Sequence, residues 1–216
     1  MVIEFSKHFS LVNAWINELR DVEVQKDRMR FRRNMERIGE IAAYEISKEL
    51  ETREINIQTP LDKITSVEIA VQPVITTILR AGVPLFQGLL NYFDKADAGF
   101  VAAYRKHDAN DYFSIKQDYL TCPDIENRPL IVADPMLATG ASLIEAIKDL
   151  LTNGTPSQLH IVVAVASEEG INTIKSEFPQ AKIWAGVIDK NLTDKGYITP
   201  GLGDAGDLSF GQKLQR

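Results

Sequence analysis

The chain has 216 residues, of which 44% are hydrophobic and 25% charged, the make-up of one globular domain able to bury a substantial core. A formal net charge of −6 argues against broad nucleic-acid binding but leaves room for a phosphorylated small molecule held by a few local arginines. The single cysteine, Cys122, excludes an internal disulfide framework and a multi-cysteine metal site. Its apolar stretches are strand-sized and its N-terminus lacks signal-peptide regions, so a cytoplasmic location without membrane contact is expected.

Residues 13–20 open a helical region, and a longer helix is expected over residues 27–50. There Phe31, Met35, Ile38, Ala42 and Ile46 recur at steps of three and four and so share one packing face. The same stretch carries Lys26, Arg28, Arg30, Arg32, Arg33 and Arg37. A solvated helix face is the plain reading of those charges; contact with the phosphates of a substrate or a nucleotide effector, or with acids of a partner subunit, are the others. Residues 1–52 thus read as a helical arm lying over the core or over a neighbouring subunit.

From Ile55 onward the pattern becomes alternating strand and helix. Strand 74–79, helix 84–93 and strand 99–104 come first, then an irregular hairpin over 106–119. Strand 130–133, helix 142–151, strand 159–165, helix 169–178 and strand 183–188 follow. Near-continuous apolar strands in such an order predict an α/β fold, a mostly parallel sheet flanked by helices on both faces, with ligands beyond the C-terminal strand ends. Arg80, Arg105, Asp134 and Asp189 each follow a strand and are expected to converge on that edge.

Two segments carry chemistry. The first runs Asp134-Pro135-Met136-Leu137-Ala138-Thr139-Gly140-Ala141-Ser142 between a buried strand and a helix. A helix opens with N–H groups that lack intrahelical partners and with a partial positive charge, so an anion over Thr139 to Ser142 meets several donors at once. Gly140 and Ala141 keep that wall thin, and the Thr139 and Ser142 hydroxyls add donors. It is neither the three-glycine dinucleotide fingerprint nor the Gly-Lys-Ser/Thr loop of ATP-binding proteins. The second segment, Gly196-Tyr197-Ile198-Thr199-Pro200-Gly201-Leu202-Gly203-Asp204-Ala205-Gly206-Asp207, is too glycine-rich for a helix or a strand interior and must bend sharply.

The first segment resembles the phosphoribosyl pyrophosphate loop of the type I phosphoribosyltransferases, in the form Asp-Pro-Met-Leu-Ala-Thr-Gly-x-Ser of the uracil branch. The second is similar to that branch's base-binding loop. Ile78-Leu79-Arg80-Ala81-Gly82 resembles the family's pyrophosphate-binding turn, and Ala103-Tyr104-Arg105 its strand ending in a second phosphate-binding arginine. Glu168-Glu169-Gly170-Ile171 matches a segment usually written Pro-Glu-Gly. The likeness runs in one order from Lys26 to Gly211.

That resemblance implies a single phosphoribosyltransferase domain over residues 1–216, with an N-terminal helical arm, a flexible hairpin and a base-binding loop region at 190–211. The implied reaction moves the 5-phosphoribosyl group of 5-phospho-α-D-ribose 1-diphosphate to N1 of uracil, giving uridine monophosphate and diphosphate. Ala138 to Ser142 would take the 5-phosphate, with Pro135, Met136 and Leu137 leading in, and Asp134 would accept from the ribose hydroxyls and offset positive charge on the ring. Arg80 and Arg105 suit the departing diphosphate as guanidinium forks. Asp204 is implied as a contact to the phosphoribosyl substrate, directly or through Mg²⁺, or else as a cap on a turn.

Uracil presents an acceptor, a donor and an acceptor along one edge, and the resemblance assigns its reading to backbone groups of Ile198, Gly203 and Ala205, with Asp204 also counted in the uracil site and Tyr197 closing the pocket. Cytosine would leave buried groups unpaired. Mg²⁺ would be carried by substrate phosphates and water, so no dense cluster of protein ligands is expected. No nucleophilic side chain is required, in keeping with His8, His107 and His160 forming no triad. A homodimer or higher homo-oligomer and a purine nucleotide effector are also implied.

The chain departs from the family at several places. Ala141 stands for a glycine and is tolerable only at negative φ. Val83-Pro84-Leu85 replaces Leu-Gly-Met, the hairpin 106–116 lacks the usual Thr and Pro pattern, and Leu208-Ser209 stands where a basic residue often follows Asp207. The rival readings are a regulatory or catalytically weakened relative that binds phosphoribosyl pyrophosphate or uridine nucleotide without efficient turnover, and an enzyme of this fold acting on another base.

Overall fold

The apolar runs that read as strands come together in one sheet. The computed structural model describes residues 1–107 and 113–213, with the side chains of 103–118 outside that description. In chain order the elements are β1 (Val2–Glu4), α1 (Leu11–Arg20), α2 (Arg28–Ser47), β2 (Thr52–Gln58), β3 (Lys63–Ile69), β4 (Val74–Leu79), α3 (Val83–Tyr92), β5 (Asp97–His107) and β6 (Phe113–Thr121). There follow β7 (Pro129–Ala133), β8 (Met136–Leu137), α4 (Ala141–Leu150), β9 (Gln158–Ser167), α5 (Glu168–Glu177), β10 (Lys182–Asp189), β11 (Asn191–Leu192), β12 (Ile198–Thr199) and α6 (Ala205–Phe210).

Helix starts follow from local chemistry. Ser10 and Asn13 cap α1 reciprocally, each side chain meeting the other end's N–H. Asp27 accepts from Arg30 N–H at 3.1 Å to open α2, and Pro84 sits in the first turn of α3, where its missing N–H costs nothing. The stripe Phe31, Met35, Ile38, Ala42 and Ile46 is fully buried. Helices α2 and α3 cross at Gly39 and Gly88 so closely that a Cβ on Gly39 would run into the Leu85 carbonyl, and one on Gly88 into that of Glu36.

The main sheet has the order β1-β10-β9-β7-β4-β5-β6, with β8 beside β9. Every pairing is parallel except β5 with β6. Alternate residues of its strands enter two cores. Ile75, Ile131, Val162 and Trp184 pack with α1, α2 and α3 on one face, and Val74, Val132, Ile161 and Ile183 pack with α4 and α5 on the other. The chain runs from β4 through α3 to β5 in one direction, and from β7 through α4 to β9 in the opposite one. Between β4 and β7 the winding therefore reverses, and their outgoing loops part to leave a crevice.

Three expectations change. The first 52 residues are not wholly a helical arm: Val2, Ile3 and Glu4 add an edge strand beside β10, while α1 and α2 do lie over the core. The alternation does not begin at Ile55, since β2 and β3 form an antiparallel hairpin as a separate two-stranded sheet. Arg105 lies within β5, which extends to His107, rather than after it.

Candidate active site

The turn after β4 is held from beneath. Thr77 Oγ1 donates to the carbonyl of Ala133 at 3.0 Å, tying β4 to the end of β7. Gly82 lies so close to Thr77 Oγ1 and that carbonyl that no side chain would fit. The Leu79–Arg80 peptide is cis. Arg80, 45% exposed, donates from Nη2 to Asp207 Oδ1 and to the carbonyl of Gly211, each at 3.1 Å. Its guanidinium thus faces the glycine-rich loop from the other side of the crevice. The side chains of Arg105 and His107 lie outside the described residues, as do residues 108–112 of the hairpin.

The loop after β7 is anchored on β9. Asp134 N–H donates to the Val162 carbonyl, and the Pro135 carbonyl accepts from Ala164 and Val165. Met136 and Leu137 form the short β8 against Val165 and Ala166. The carbonyl of Ala138 accepts from the Ser167 hydroxyl, which in turn accepts from Gly170 N–H. Thr139 leads to Gly140 at φ 86°, after which α4 begins at Ala141. The left-handed position is therefore Gly140, and Ala141 takes a negative φ, meeting the condition its methyl sets. Ser142 sits in the first turn of α4, where N–H groups lack intrahelical acceptors.

Asp134 stands where this loop leaves the sheet. Burial pushes its carboxyl up to about 7, against a weak opposing donation from Met136 N–H at 3.4 Å. Near neutral pH it exists in both protonation states.

The glycine-rich segment reaches both of these loops. A Cβ on Gly196 would lie 3.5 Å from Thr139 Cγ2, and one on Gly206 would lie 3.7 Å from the Ala81 methyl and 4.0 Å from Arg80 Nη2. Ile198, Leu202 and Ala205 are buried in the core, pinning the segment, while Tyr197 is 60% exposed. Gly201 and Gly203 take φ 59° and 97°, conformations that favour glycine. Asp204 caps α6, accepting from Asp207 N–H at 3.0 Å, and Lys213 Nζ lies 3.4 Å from its other oxygen. Burial pushes its carboxyl upward, but donation from Asp207 N–H and the Lys213 ammonium outweigh it and hold the group below the usual carboxylate range.

Arg80, residues 134–142 and residues 196–207 thus share one edge of the sheet. Asp189, expected on the same edge, is buried and paired with Arg20 of α1 at 2.7 Å. Ser167, Thr77 and Asp207 are contributors that sequence reasoning missed. Their partners lie 29, 56 and 127 residues away, and although Asp207 closes the glycine-rich motif, no local pattern marks these pairings.

The other titratable candidates have structural duties. His160 is fully buried, with Nδ1 accepting from Trp184 Nε1 at 3.1 Å and Nε2 2.8 Å from Gln158 Oε1. Burial, reinforced by nearby Lys182, drives its value down to about 4 and keeps it neutral. Burial pushes the Cys122 thiol up to about 11, so it is not a ready thiolate. The basic stretch is engaged within the chain. Arg30 pairs with Glu18, Arg33 with Glu36 and Glu40, Lys26 with Glu23, and Arg32 donates to the Ser209 carbonyl at 2.7 Å.

Among the described residues no three His, Cys, Asp or Glu side chains gather as a metal cluster. Asp134 and Asp204 each offer carboxylate oxygens at this edge, a sparse donor set that fits Mg²⁺ held mainly by water and substrate phosphates. No helix is long and apolar enough to cross a membrane among the described residues.

A family model described as "Uracil phosphoribosyltransferase" matches residues 6–212. The chain is 45% identical over 214 residues to a uracil phosphoribosyltransferase of Porphyromonas gingivalis, with 99% of each chain covered. It is 39% identical over 203 residues to one of Thermococcus gammatolerans, covering 93% of this chain and 89% of the relative. The solved structure of the AQ2163 protein from Aquifex aeolicus superposes over the whole of both chains with a TM-score of 0.87 at 28% identity. So extended a likeness, on a sheet whose winding reverses between the Arg80 turn and the 134–142 loop, makes this chain a member of the uracil phosphoribosyltransferase family.

Proposed function

We infer that the chain transfers the 5-phosphoribosyl group of 5-phospho-α-D-ribose 1-diphosphate to N1 of uracil, giving uridine monophosphate and diphosphate. The observation that carries this reading is the meeting of three segments at one edge: the Arg80 turn, the helix-opening loop at 134–142 and the glycine-rich loop at 196–207.

In this reading the amides from Ala138 to Ser142 hold the 5-phosphate at the start of α4. Pro135, Met136 and Leu137 fix the loop's register on β9. Asp134 accepts from the ribose hydroxyls and, when ionised, steadies the positive charge that grows on the ring as the C1–oxygen bond breaks. Arg80 leaves Asp207 to meet the diphosphate, a role the family likeness gives Arg105 as well. Mg²⁺, when bound with Asp204 and substrate phosphates, supplies further positive charge against the leaving oxygens. Backbone groups of Ile198, Gly203 and Ala205 read the pyrimidine edge, and Tyr197 closes the pocket over it. N1 attacks C1 as diphosphate departs, and no side chain becomes covalently attached.

Uridine monophosphate formation tests this directly. Product is expected with uracil and not with cytosine, hypoxanthine or orotate, and Asp204→Asn is expected to lower kcat/KM by about 10²-fold. Binding of phosphoribosyl pyrophosphate without product from any base would favour the regulatory relative instead.

A second copy of the chain is the partner proposed for the β2–β3 hairpin. Isolated two-stranded hairpins are marginal in water, yet β2 and β3 stand as their own sheet with Leu61, Ile64 and Val67 exposed. Covering by another subunit accounts for them. The lone free thiol of Cys122 accords with a cytoplasmic setting.

A further inference from the structure

Hydrogen bonds tie the glycine-rich loop to the end of β10 and, through it, to the end of α1. Asp189, the last residue of β10, is 6% exposed, and its Oδ2 accepts the N–H of Gly201 at 2.9 Å. Gly201 sits at φ 59° between the buried Ile198 and Leu202, midway through the turn that leads to Gly203. Its N–H is buried, and without Asp189 it would lose its acceptor.

A carboxylate so enclosed needs a countercharge. Arg20, the last residue of α1, supplies it, with Nη2 at 2.7 and 2.9 Å from the two Asp189 oxygens. Among the described residues the guanidinium Nε is buried without a partner, and Asp189 is the acceptor its Nη2 meets. Helix α1 can reach the spot because it lies directly on β10: Ile16 Cδ1 is 3.0 Å from where a Cβ of Gly186 would stand.

We propose that Arg20 and Asp189 are positioning residues for base recognition, the salt bridge setting the height of the Gly201 amide and hence the backbone of Ile198 and Gly203 that reads the pyrimidine. The N-terminal helix is by this route a structural determinant of the base pocket. The proposal rests on the uracil reading of residues 196–207, and the hydrogen bonds that carry it run from Arg20 to Asp189 and from Gly201 to Asp189.

The experiment compares wild type with Asp189→Asn, Arg20→Ala and Arg20→Lys. In Asp189→Asn and Arg20→Ala, KM for uracil is expected to rise about ten-fold or more while KM for phosphoribosyl pyrophosphate stays within about two-fold. Arg20→Lys keeps the charge with less reach and shows the same split at smaller size, which serves if the alanine variant does not fold. Added guanidinium ion at millimolar concentration lowers the raised uracil KM of Arg20→Ala and leaves the others unchanged. Hydrogen exchange at the Gly201 amide speeds up in all three variants, a readout independent of turnover. Equal rises in both KM values, an unchanged uracil KM in a folded variant, or unaltered exchange at Gly201 would overturn the proposal. Absence of product from the wild type would instead overturn the activity, with Gly201 exchange still deciding whether the salt bridge holds the loop.

Discussion

Asp134 is held in a state that the fold itself resists. Its carboxyl value rises from the ordinary 3.8 to about 7 chiefly through burial, so between those limits the folded protein binds more protons than the unfolded chain. Stability therefore falls as pH rises across that window, and the cost is complete above about pH 7. Asp134→Asn removes the ionisation. The variant is expected to be more stable than wild type at pH 8, on the order of 4 kcal/mol or roughly 8–16 °C in Tm, with the gap closing toward pH 4. Its kcat/KM is expected to drop by about 10²-fold, and a rise with a midpoint near pH 7 is expected in wild type and not in the variant. Thermal melts and pH profiles on the two proteins check both halves. His160 works in the opposite sense. Its value falls from 6.5 to about 4, so its contribution is lost as pH drops through that interval. The Asn variant, freed of the opposing Asp134 slope, is the protein in which this acid sensitivity becomes visible.

At the scale of elements, the crossing of α2 over α3 leaves no room for a methyl group. In Gly88→Ala the new Cβ meets the Glu36 carbonyl and the Glu40 amide, both backbone atoms of a buried helix, so the helices must separate. A loss of about 2–3 kcal/mol is expected, read as a drop of roughly 5–10 °C in Tm, with base selectivity unchanged. Elements like these were legible in proportion to how continuously they are buried. Strands β4, β7, β9 and β10 are buried on both faces over most of their length and, being largely apolar, stand out as runs. Helix α2 announces itself by its stripe, whereas β1, β8, β11 and β12 are too short to carry a period. The hairpin β2–β3 is mostly exposed on both strands, so no alternation of burial marks it, and it merges with the pattern that follows. Within the site, the loops were legible because glycine, small residues and capping hydroxyls are local requirements of a phosphate-binding turn. Ser167, Thr77 and Asp207 were not, since each acts on a group far along the chain. Asp189 illustrates the difference: its place at a strand end was readable, and its commitment to Arg20 and Gly201 was not.

At the scale of the molecule, the candidate site bridges the reversal in the winding of the sheet. The Arg80 turn leaves from β4, the 134–142 loop from β7, and the glycine-rich segment from beyond β10. A ligand seated among them binds the folded chain and not the unfolded one. Phosphoribosyl pyrophosphate or uridine monophosphate at about 100 times its Kd is expected to add about 2.7 kcal/mol, a rise of roughly 5–11 °C in Tm for a chain of this size. Asp204→Asn is expected to forfeit part of that rise with phosphoribosyl pyrophosphate, and differential scanning fluorimetry across ligand concentrations measures it.

The crevice at the winding reversal also bears on how long each molecule survives. Proteases attack chains that have opened, and occupancy of a seam shared by both halves of the sheet lowers the population of open forms. The ligand-saturated protein is therefore expected to be cleaved more slowly by added protease than the free chain.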